Sequence, residues 1–336
     1  MSLSIGNRRY TGSKKALLED IYESIAPYDK KGVVFADIFA GTGIVSAFML
    51  QKGMNVIAND FLRSNWVAYQ AWFGSGRFDT KKLKKIIEDF NLIDGEMLES
   101  NYFSEVYGEK YFSVADAKKI GYIRDLISHI DLTERERNIL LSSLMYATDK
   151  IANTVGHFEH FLSSPPINKN VILHFPKIEK FKGKAKIYNM DANRLVRGIV
   201  CDIAYIDPPY NARQYINFYH VLENLIMWKK PTEFEGISMK FKRNHLKSDY
   251  SKSKAPIVFN DLIEKLQARI IVVSYNNTYT AKSSASNNKI SEKQLMEILS
   301  KKGMVTTKEM KHKFFNSGKT DFQNHKEILY ICKTNS

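Results

Sequence analysis

Cysteine is scarce in this chain of 336 residues, which contains Cys201 and Cys332 and no others. Two cysteines exclude a disulfide framework and a cysteine-rich zinc site. Each lies beside a predicted strand, so we expect small, buried, hydrophobic side chains there. His157, His160 and His220 show no metal-ligand spacing with carboxylates, and the sequence therefore predicts no metal site.

Long apolar runs are also missing. No uninterrupted run of about 18 apolar residues is present, so no transmembrane helix is predicted. The first ten residues, MSLSIGNRRY, lack the apolar segment of a secretory signal. We therefore expect a cytoplasmic protein without a membrane partner. Hydrophobic residues make up 44% of the chain and charged residues 26%, which is typical of globular proteins.

Acidic residues are outnumbered, with 36 Asp and Glu against 50 Lys and Arg and a net charge of +14. This excess indicates a polyanionic partner, although charge alone does not distinguish nucleic acid binding from a basic, soluble surface. Two segments concentrate it, KFKRNHLKSDYSKSK (240–254) and KKGMVTTKEMKHKFFNSGK (301–319). Each can be a solvated loop. Because the same chain contains the unusual sequence Asp-Pro-Pro-Tyr at 207–210, phosphate contact is the favoured interpretation.

The order of apolar patterns predicts an α/β fold. GVVFADIFAGTGIVSAFMLQKGMNVIANDF (32–61) has the pattern strand, glycine turn, helix, strand. Further strands are predicted to end at Asp191 and Asp207, and ARIIVVSYNN and KEILYICK are two more. Strands that alternate with helices predict a doubly wound, mostly parallel sheet.

The middle of the chain has a different pattern. From about residue 75 to 180 the apolar residues recur every three or four positions, and Thr133 with Glu136 forms a capping box. We predict a catalytic domain, 1–74 and 181–336, and an inserted, mainly helical domain, 75–180. The loop 278–291 is rich in Ser and Asn, and its role stays open.

The glycine turn after the first strand indicates a nucleoside site. Gly41 and Gly43 permit close approach of the backbone to a ligand, and Asp60, 19 positions after Gly41, suits a ribose hydroxyl pair. No Gly-Lys-Ser/Thr follows, and Ser46 stands where a dinucleotide fingerprint has its third glycine. The predicted ligand is therefore adenosine-like without a required phosphate, and S-adenosylmethionine fits. A purely structural turn is the alternative.

The second motif is Asp207-Pro208-Pro209-Tyr210, at the carboxyl end of a predicted strand. The prolines end the strand because they cannot donate ladder hydrogen bonds. Ligands of open α/β sheets bind at this edge. The carboxylate can accept one proton of an exocyclic amine while a proline carbonyl accepts the other, and the Tyr210 ring can stack on a base that has been flipped out of a duplex. A simple strand-ending turn is the alternative.

These motifs together resemble the D12 class of Dam-like DNA N6-adenine methyltransferases of bacterial restriction–modification systems. The matching pieces, in the order of that class, are RRYTGSK (8–14), DIFAGTG (37–43), ND (59–60), NMDA (189–192), DPPYNARQY (207–215) and SYNN (274–277). The resemblance implies a Rossmann-like, S-adenosylmethionine-dependent methyltransferase sheet with an antiparallel last strand. It covers nearly the whole chain, with Tyr10 where Trp is usual.

The resemblance also implies roles for individual residues. The implied S-adenosylmethionine site comprises Tyr10, Lys14, Asp37, Phe39, Gly41, Thr42, Gly43, Asp60, Asp191 and Ala192. The implied catalytic residues are Asp207, Pro208, Pro209 and Tyr210. Residues expected from their position or charge to contact DNA are Arg213, Gln214, Tyr215, Lys240, Lys242, Arg243 and Lys247, although the first three can also be ordinary loop residues.

The favoured function is methyl transfer from S-adenosylmethionine to adenine N6 in double-stranded DNA. Alternatives within the same fold are cytosine N4, RNA adenine and a glutamine side chain, and a basic DNA-binding module without activity is a further one. Cytosine-N4 enzymes of this kind more often have Ser in place of Asp207. Specificity is expected from 75–180 and from the loops near 211–215 and 236–255. The recognition sequence, a separately acting restriction endonuclease and the oligomeric state stay open.

Overall fold

The computed structural model describes residues 3–278, 287–311 and 326–335. Within them, the helices are α1 (Leu18–Ile25), α2 (Ile44–Lys52), α3 (Arg63–Phe73), α4 (Thr80–Leu92), α5 (Tyr102–Tyr107), α6 (Val114–His129), α7 (Glu134–Ile151), α8 (Ala192–Leu195), α9 (Tyr215–Met227), α10 (Ala255–Lys265) and α11 (Glu292–Ser300). The strands are β1 (Val34–Asp37), β2 (Asn55–Asn59), β3 (Ala185–Tyr188), β4 (Val200–Ile206), β5 (Phe234–Glu235), β6 (Lys240–Phe241), β7 (Gln267–Asn276), β8 (Gly303–Lys311) and β9 (Lys326–Thr334).

Two compact units divide the chain. The sheet unit comprises the described residues of Ser13–Phe61, Phe181–Tyr215 and Leu246–Ser336, and the helical unit those of Met1–Gly12, Leu62–Lys180 and Ile216–His245. The helical unit therefore includes more of the chain than 75–180. Helix α3 packs along α7 and therefore belongs to the helical unit. The local sequence pattern, which changes at residue 75, does not reveal this long-range contact.

The sheet unit contains a mixed sheet whose order among the described residues is β3-β2-β1-β4-β7-β9-β8. Strands β3, β2, β1, β4 and β7 run parallel to one another. The last strand, β9, is antiparallel to both β7 and β8. The predicted doubly wound, mostly parallel fold with an antiparallel last strand is therefore confirmed.

Strand β8 was not predicted. It contains the first part of the basic segment 301–319, and its Gly303 opens the strand directly after α11. Residues 312–319 of that segment, and 279–286 of the Ser/Asn-rich loop, lie outside the described residues. The lysines and threonines of β8 hid the strand, because they give no apolar alternation.

The core of the sheet unit lies between one face of the sheet and helices α8, α10 and α11. Ala36, Ala204 and Ile271 of three neighbouring strands point into it, opposite Phe259 and Leu295. Helix α2 packs against β1 and β2. Because β1, β2, β4 and β7 are parallel to one another, their carboxyl ends lie along one edge of the sheet.

The helical unit confirms the helices predicted from periodicity. Thr133 caps α7 by accepting from the Glu136 amide at 3.2 Å, and the Glu136 carboxylate accepts from the Thr133 amide at 3.0 Å. Strands β5 and β6 form a hairpin whose Ser238 is buried. Across the described residues, every helix is too short or too polar to cross a membrane.

Candidate active site

The glycine turn follows β1 in the sheet unit. Gly41 has φ of 54° and Gly43, at the N-cap of α2, has φ of 78°, which is the left-handed region that favours glycine. The Gly41 amide donates to Asp60 Oδ2 at 3.0 Å. The turn and the aspartate that sequence spacing linked to it are thus joined directly. This places a carboxylate beside the backbone of the turn at the carboxyl ends of β1 and β2.

Asp37 ends β1 and is almost fully buried. Its Oδ2 accepts a hydrogen bond from Ser46 Oγ of α2 at 2.7 Å. Burial raises the pKa of Asp37 to about 7, and the negative charges of Asp207 and Asp60 act in the same direction, while Ser46 opposes them. Asp37 is therefore a carboxylate that gains or loses its proton near neutral pH.

Polar contacts at the ends of β2 and β3 hold the chain around Asp191, another residue of the predicted nucleoside site. Asn59 donates to the carbonyls of Ile38 and Met190, both at 3.1 Å, and so ties three strand ends together. Asp191 caps α8 by accepting from the Arg194 amide at 3.1 Å. Sequence analysis assigned no role to Asn59 by itself.

The side chains around the turn are enclosed to different degrees. Phe39 contacts the Tyr250 ring edge-on, with centroids 5.0 Å apart. Thr42 and Ala192 are buried. These three predicted S-adenosylmethionine residues therefore belong to the same edge of the sheet as Asp37 and Asp60.

The Asp-Pro-Pro-Tyr motif follows directly on β4, as predicted. Lys14 Nζ lies 2.9 and 2.8 Å from the two carboxylate oxygens of Asp207 and 2.9 Å from the Tyr210 hydroxyl. The Tyr210 hydroxyl donates a short hydrogen bond to Asp207 Oδ1. The Tyr210 ring lies 4.6 Å from that of Tyr275 on β7. Lys14, implied to flank S-adenosylmethionine, thus contacts the catalytic motif itself.

A second carboxylate, that of Glu327, completes this cluster. Glu327 Oε1 accepts from Ser274 Oγ at 2.6 Å, and it lies 2.5 Å from the Tyr210 hydroxyl and 3.4 Å from Lys14 Nζ. Neither Glu327 nor the contact that Ser274 makes with it was predicted from the sequence. The available signal was a glutamate among apolar residues at the beginning of the predicted strand KEILYICK.

The charges in this cluster shift one another's pKa values. Burial raises the pKa of Asp207, the charge of Glu327 adds to this effect, and Lys14 opposes it. Burial alone acts to lower the pKa of Lys14, but Asp207 and Glu327 outweigh it, so the pKa is raised. The desolvation of Glu327 is likewise outweighed by Lys14, Ser274 and Tyr210, and the pKa of Glu327 is lowered. Lys14 is therefore a permanent cation between two carboxylates of unequal acidity.

Tyr10 belongs to the helical unit. Its ring stacks on that of Tyr219 of α9, with centroids 4.7 Å apart and planes at 5°. The buried Arg8 guanidinium lies 5.0 Å from the Tyr10 centroid and hydrogen-bonds Asn65. The flat aromatic side chain implied at this position is thus held by a cation and a second ring.

The residues predicted to contact DNA next to the motif differ in exposure. Arg213 is exposed, and Tyr215 is the first residue of α9. Gln214 is buried, and its amide bonds both the carbonyl and the amide of Ser248, at 2.9 and 2.7 Å. Gln214 therefore ties the loop after the motif to the segment near 248.

The basic residues of 240–247 also differ from one another. Lys242 is exposed and lies 2.5 Å from Glu233, whereas Lys240 is only 17% exposed at its side chain. The Arg243 guanidinium is enclosed, with Asn217 and Glu235 each 2.8 Å away. Lys247 is partly exposed. Lys242 and Lys247 are thus the members best placed to meet a phosphate.

The two cysteines are buried, as expected. Cys201 Sγ lies 3.7 Å from the Gln267 carbonyl, and burial raises the pKa of its thiol to about 12. Burial also raises the pKa of Cys332. Neither thiol ionises near neutral pH, so neither is activated as a nucleophile.

The mostly parallel sheet with an antiparallel last strand, the glycine turn after β1 and the Asp-Pro-Pro-Tyr motif after β4 form the fold of S-adenosylmethionine-dependent methyltransferases. A family model described as D12 class N6 adenine-specific DNA methyltransferase matches residues 10–330. The chain belongs to this family, which confirms the resemblance over nearly its whole length.

Individual relatives agree with this membership. Modification methylase StsI of Streptococcus sanguinis is 35% identical over 96% of this chain and 51% of its own length. Modification methylase LlaI of Lactococcus lactis subsp. lactis is 33% identical over 80% of this chain and 46% of its own length. Type II methyltransferase M.NlaIII of Neisseria lactamica is 30% identical over 96% of this chain and 98% of its own length. The chain thus spans about half the length of the first two relatives and nearly all of the third.

Proposed function

We propose that this chain transfers a methyl group from S-adenosylmethionine to N6 of adenine in double-stranded DNA. The observation that carries the proposal is the Asp207-Pro208-Pro209-Tyr210 motif on the same sheet edge as Asp37, Asp60 and the glycine turn. Family membership supports adenine as the acceptor, and the basic charge of the chain supports DNA.

The donor groups of the sheet edge fit S-adenosylmethionine. Asp60, held by the Gly41 amide, would accept from the ribose hydroxyls, and Asp37 would face the ammonium group of the methionine end. Phe39 would also lie at the methionine end, and Asp191 with Ala192 would lie by the adenine ring. When bound, S-adenosylmethionine supplies an electrophilic methyl group on a sulfonium that leaves as a neutral thioether.

Asp207 would orient the acceptor. Its carboxylate accepts one hydrogen of the exocyclic amine and the Pro208 carbonyl accepts the other, so the nitrogen lone pair points away from both. As the nitrogen gains positive charge, Asp207 stabilises that charge and takes the released proton. The raised pKa of Asp207 favours this proton uptake over that of an ordinary aspartate.

The base must leave the duplex to reach Asp207. Tyr210 offers an aromatic face, and its orientation is set by the Tyr275 ring and by hydrogen bonds of its hydroxyl. Region 75–180, with the loops near 211–215 and 236–255, is our proposal for target recognition. Lys242, Lys247 and Arg213 are proposed phosphate or pocket contacts.

We also propose a biological setting. Relatives carry the names modification methylase and type II methyltransferase, which supports a modification enzyme of a restriction–modification system. An endonuclease of the same specificity would then act as a separate protein. We propose a cytoplasmic location for this enzyme.

The test is transfer of radiolabelled methyl from S-adenosylmethionine to unmethylated duplex DNA by the purified chain, followed by nucleoside analysis. Label in N6-methyldeoxyadenosine is the expected result. Label in N4-methyldeoxycytidine, or in RNA or protein alone, would change the acceptor, and DNA binding without any transfer would contradict an enzymatic function. Asp207→Asn should lower the transfer, and Asp89→Asn, which changes an exposed aspartate of α4, is its matched active control.

A further inference from the structure

Glu327 is a buried carboxylate that reaches the catalytic edge because β9 runs antiparallel. The register pairs Glu327 with Asn276 and Ile328 with Tyr275, so the beginning of β9 lies at the carboxyl end of β7. The Glu327 side chain is only 2% exposed. A carboxylate this deep in a fold is costly unless hydrogen bonds and a counter-charge compensate it.

Those compensating groups all belong to the catalytic cluster. Ser274 donates to Oε1, the Tyr210 hydroxyl lies at hydrogen-bond distance from the same oxygen, and Lys14 supplies positive charge at 3.4 Å. Tyr210 and Lys14 are also the contacts of Asp207. Glu327 and Asp207 therefore face the same two partners from different strands.

The Tyr210 hydroxyl has one hydrogen and two carboxylates within reach. It can donate to Asp207 or to Glu327, but not fully to both at once. Lys14 can likewise direct its charge to either carboxylate, being 2.8 Å from Asp207 Oδ2 and 3.4 Å from Glu327. Two hydrogen-bond arrangements of this cluster are therefore available without movement of the backbone.

We propose that Glu327 is a positioning residue that keeps Lys14 and Tyr210 in place when Asp207 turns its carboxylate to the amine of the substrate. This inference rests on the proposed methyl transfer to an exocyclic amine. When Asp207 leaves Lys14 and Tyr210 to bind the amine, Glu327 still provides a counter-charge for Lys14 and a hydrogen-bond acceptor for Tyr210. Without it, Lys14 holds Asp207 and competes with the substrate.

The acidities agree with this division of labour. The pKa of Asp207 is raised and that of Glu327 is lowered, so Glu327 stays the anion and Asp207 takes the proton. Opposite shifts within a pair of interacting carboxylates are typical of a pair with separate tasks. The charged and titratable groups that face the two carboxylates are Lys14, Tyr205, Tyr210 and Asp37.

Glu327→Gln tests the proposal because it removes the charge and keeps the size of the side chain. We expect kcat to fall by about tenfold or more, because the acceptor amine is less well oriented in the transition state. KM for S-adenosylmethionine should stay within about twofold of the wild-type value. Activity requires ionised Asp207, and the Glu327 charge raises the pKa of Asp207. Removal of that charge should therefore move the acid limb of the pH–kcat profile to lower pH.

The controls separate positioning from folding. Glu309→Gln, on the neighbouring strand β8, removes an exposed carboxylate paired with Lys326, and it should leave kcat and the profile unchanged. Glu327→Asp keeps the charge and should keep the acid limb near its wild-type position. If Glu327→Gln does not fold, Ser274→Ala removes one bond to the same oxygen and should lower kcat by a smaller factor at unchanged KM.

Two results would overturn the proposal. One is wild-type kcat with an unmoved acid limb in a folded Glu327→Gln or, where that variant does not fold, wild-type kcat in a folded Ser274→Ala. The other is an unchanged pKa of Asp207 in Glu327→Gln, measured by carboxyl ¹³C NMR without DNA. Because the NMR measurement needs no turnover, it tests the role of Glu327 even if the wild-type chain methylates no DNA. Failure of this inference is therefore distinguishable from failure of the proposed methyl transfer.

Discussion

At the scale of single residues, three carboxylates share one sheet edge in different surroundings. Asp207 lies against the cation of Lys14, Asp60 accepts from a backbone amide, and Asp37 is enclosed with the Ser46 hydroxyl as its hydrogen-bond donor. The same chemical group is therefore tuned for a different task at each position.

Asp207→Ala should abolish methyl transfer, with a decrease of about 100-fold or more, because the amine loses both its orientation and its proton acceptor. Binding of S-adenosylmethionine should stay close to wild type, since Asp207 contacts Lys14 and Tyr210 instead of the glycine turn. Turnover assays and calorimetry measure the two quantities. Full activity of the variant would contradict the role of Asp207.

Asp60→Ala should have the opposite profile. Removal of a charge-assisted hydrogen-bonded pair to the ribose should weaken binding of S-adenosylmethionine by roughly 1.5–3 kcal/mol. Part of this effect comes from the Gly41 amide, which is also left without its carboxylate acceptor. Asp60→Asn keeps an acceptor for that amide and isolates the charge. Unchanged affinity of both variants in calorimetry would exclude the ribose role.

Asp37 makes the ligand-free protein sensitive to pH. Its pKa in the folded chain, about 7, lies above the usual value of 3.8, so its contribution to stability is complete below about pH 4 and is lost as pH rises through 7. Asp37→Asn keeps an acceptor for Ser46 without a charge. Its melting temperature should exceed that of the wild type at pH 8 and should lose most of this advantage towards pH 5, as thermal denaturation over that range would show. A difference independent of pH would contradict the raised pKa.

At the scale of elements, the hairpin strand β6 and the turn after it combine structural and exposed basic residues. Arg243 is held by Asn217 and Glu235, whereas Lys242 is 76% exposed. One segment of uniform basic character in the sequence thus contains side chains with different surroundings. A phosphate can replace the solvent-exposed ion pair of Lys242 with Glu233 at low cost, whereas the enclosed Arg243 would lose its bonds to Asn217 and Glu235.

Lys242→Gln with Lys247→Gln should weaken binding to all duplex sequences about equally. The slope of log affinity against log salt concentration should become shallower by about 0.9 for each phosphate that the variant no longer neutralises. The preference for the specific site should stay the same, because phosphate contacts position the protein on DNA and base contacts determine sequence specificity. Affinities for specific and random duplexes over a salt series measure this. Lys293→Gln, which changes an exposed lysine of α11, is the control, and an unchanged slope in the double variant would make the segment an ordinary solvated loop.

Arg213→Ala should behave differently from the lysine variants. Arg213 is an exposed residue three positions after Tyr210, in the loop that Gln214 ties to Ser248. We expect turnover to fall by a larger factor than the salt slope changes, because its position suits the pocket of the flipped base. Steady-state kinetics and the same salt series compare the two effects, and a change in slope alone would make Arg213 a phosphate contact.

At the scale of the whole molecule, the net charge favours a class of partner, and the chain length determines how much of each relative is matched. The net charge of +14 favours association with a polyanion independently of sequence. The chain matches nearly all of the Neisseria relative and about half of the Streptococcus one. The residues that carry the proposed chemistry lie in the sheet unit, whereas Tyr10 and most of 240–247 lie in the helical unit.

Much of the site and of the fold could be predicted from the sequence, because these features depend on neighbouring residues in the chain. The left-handed turn at Gly41 and Gly43, the strand end before Pro208 and the capping box at Thr133 each follow from neighbouring residues. Periodicity likewise predicted most helices and the parallel strands. The order of these motifs along the chain was sufficient for the family.

Tertiary structure alone decided the surroundings of the catalytic carboxylate. Glu327 is 120 residues from Asp207, and it reaches Lys14 and Tyr210 only because β9 inserts between β7 and β8 in the antiparallel direction. The placement of α3 with the helical unit has the same origin, in packing against the distant helix α7. Local periodicity specifies which face of an element is buried, but it does not specify which distant element covers that face, and strand pairing across the sheet brings the two carboxylates to one lysine.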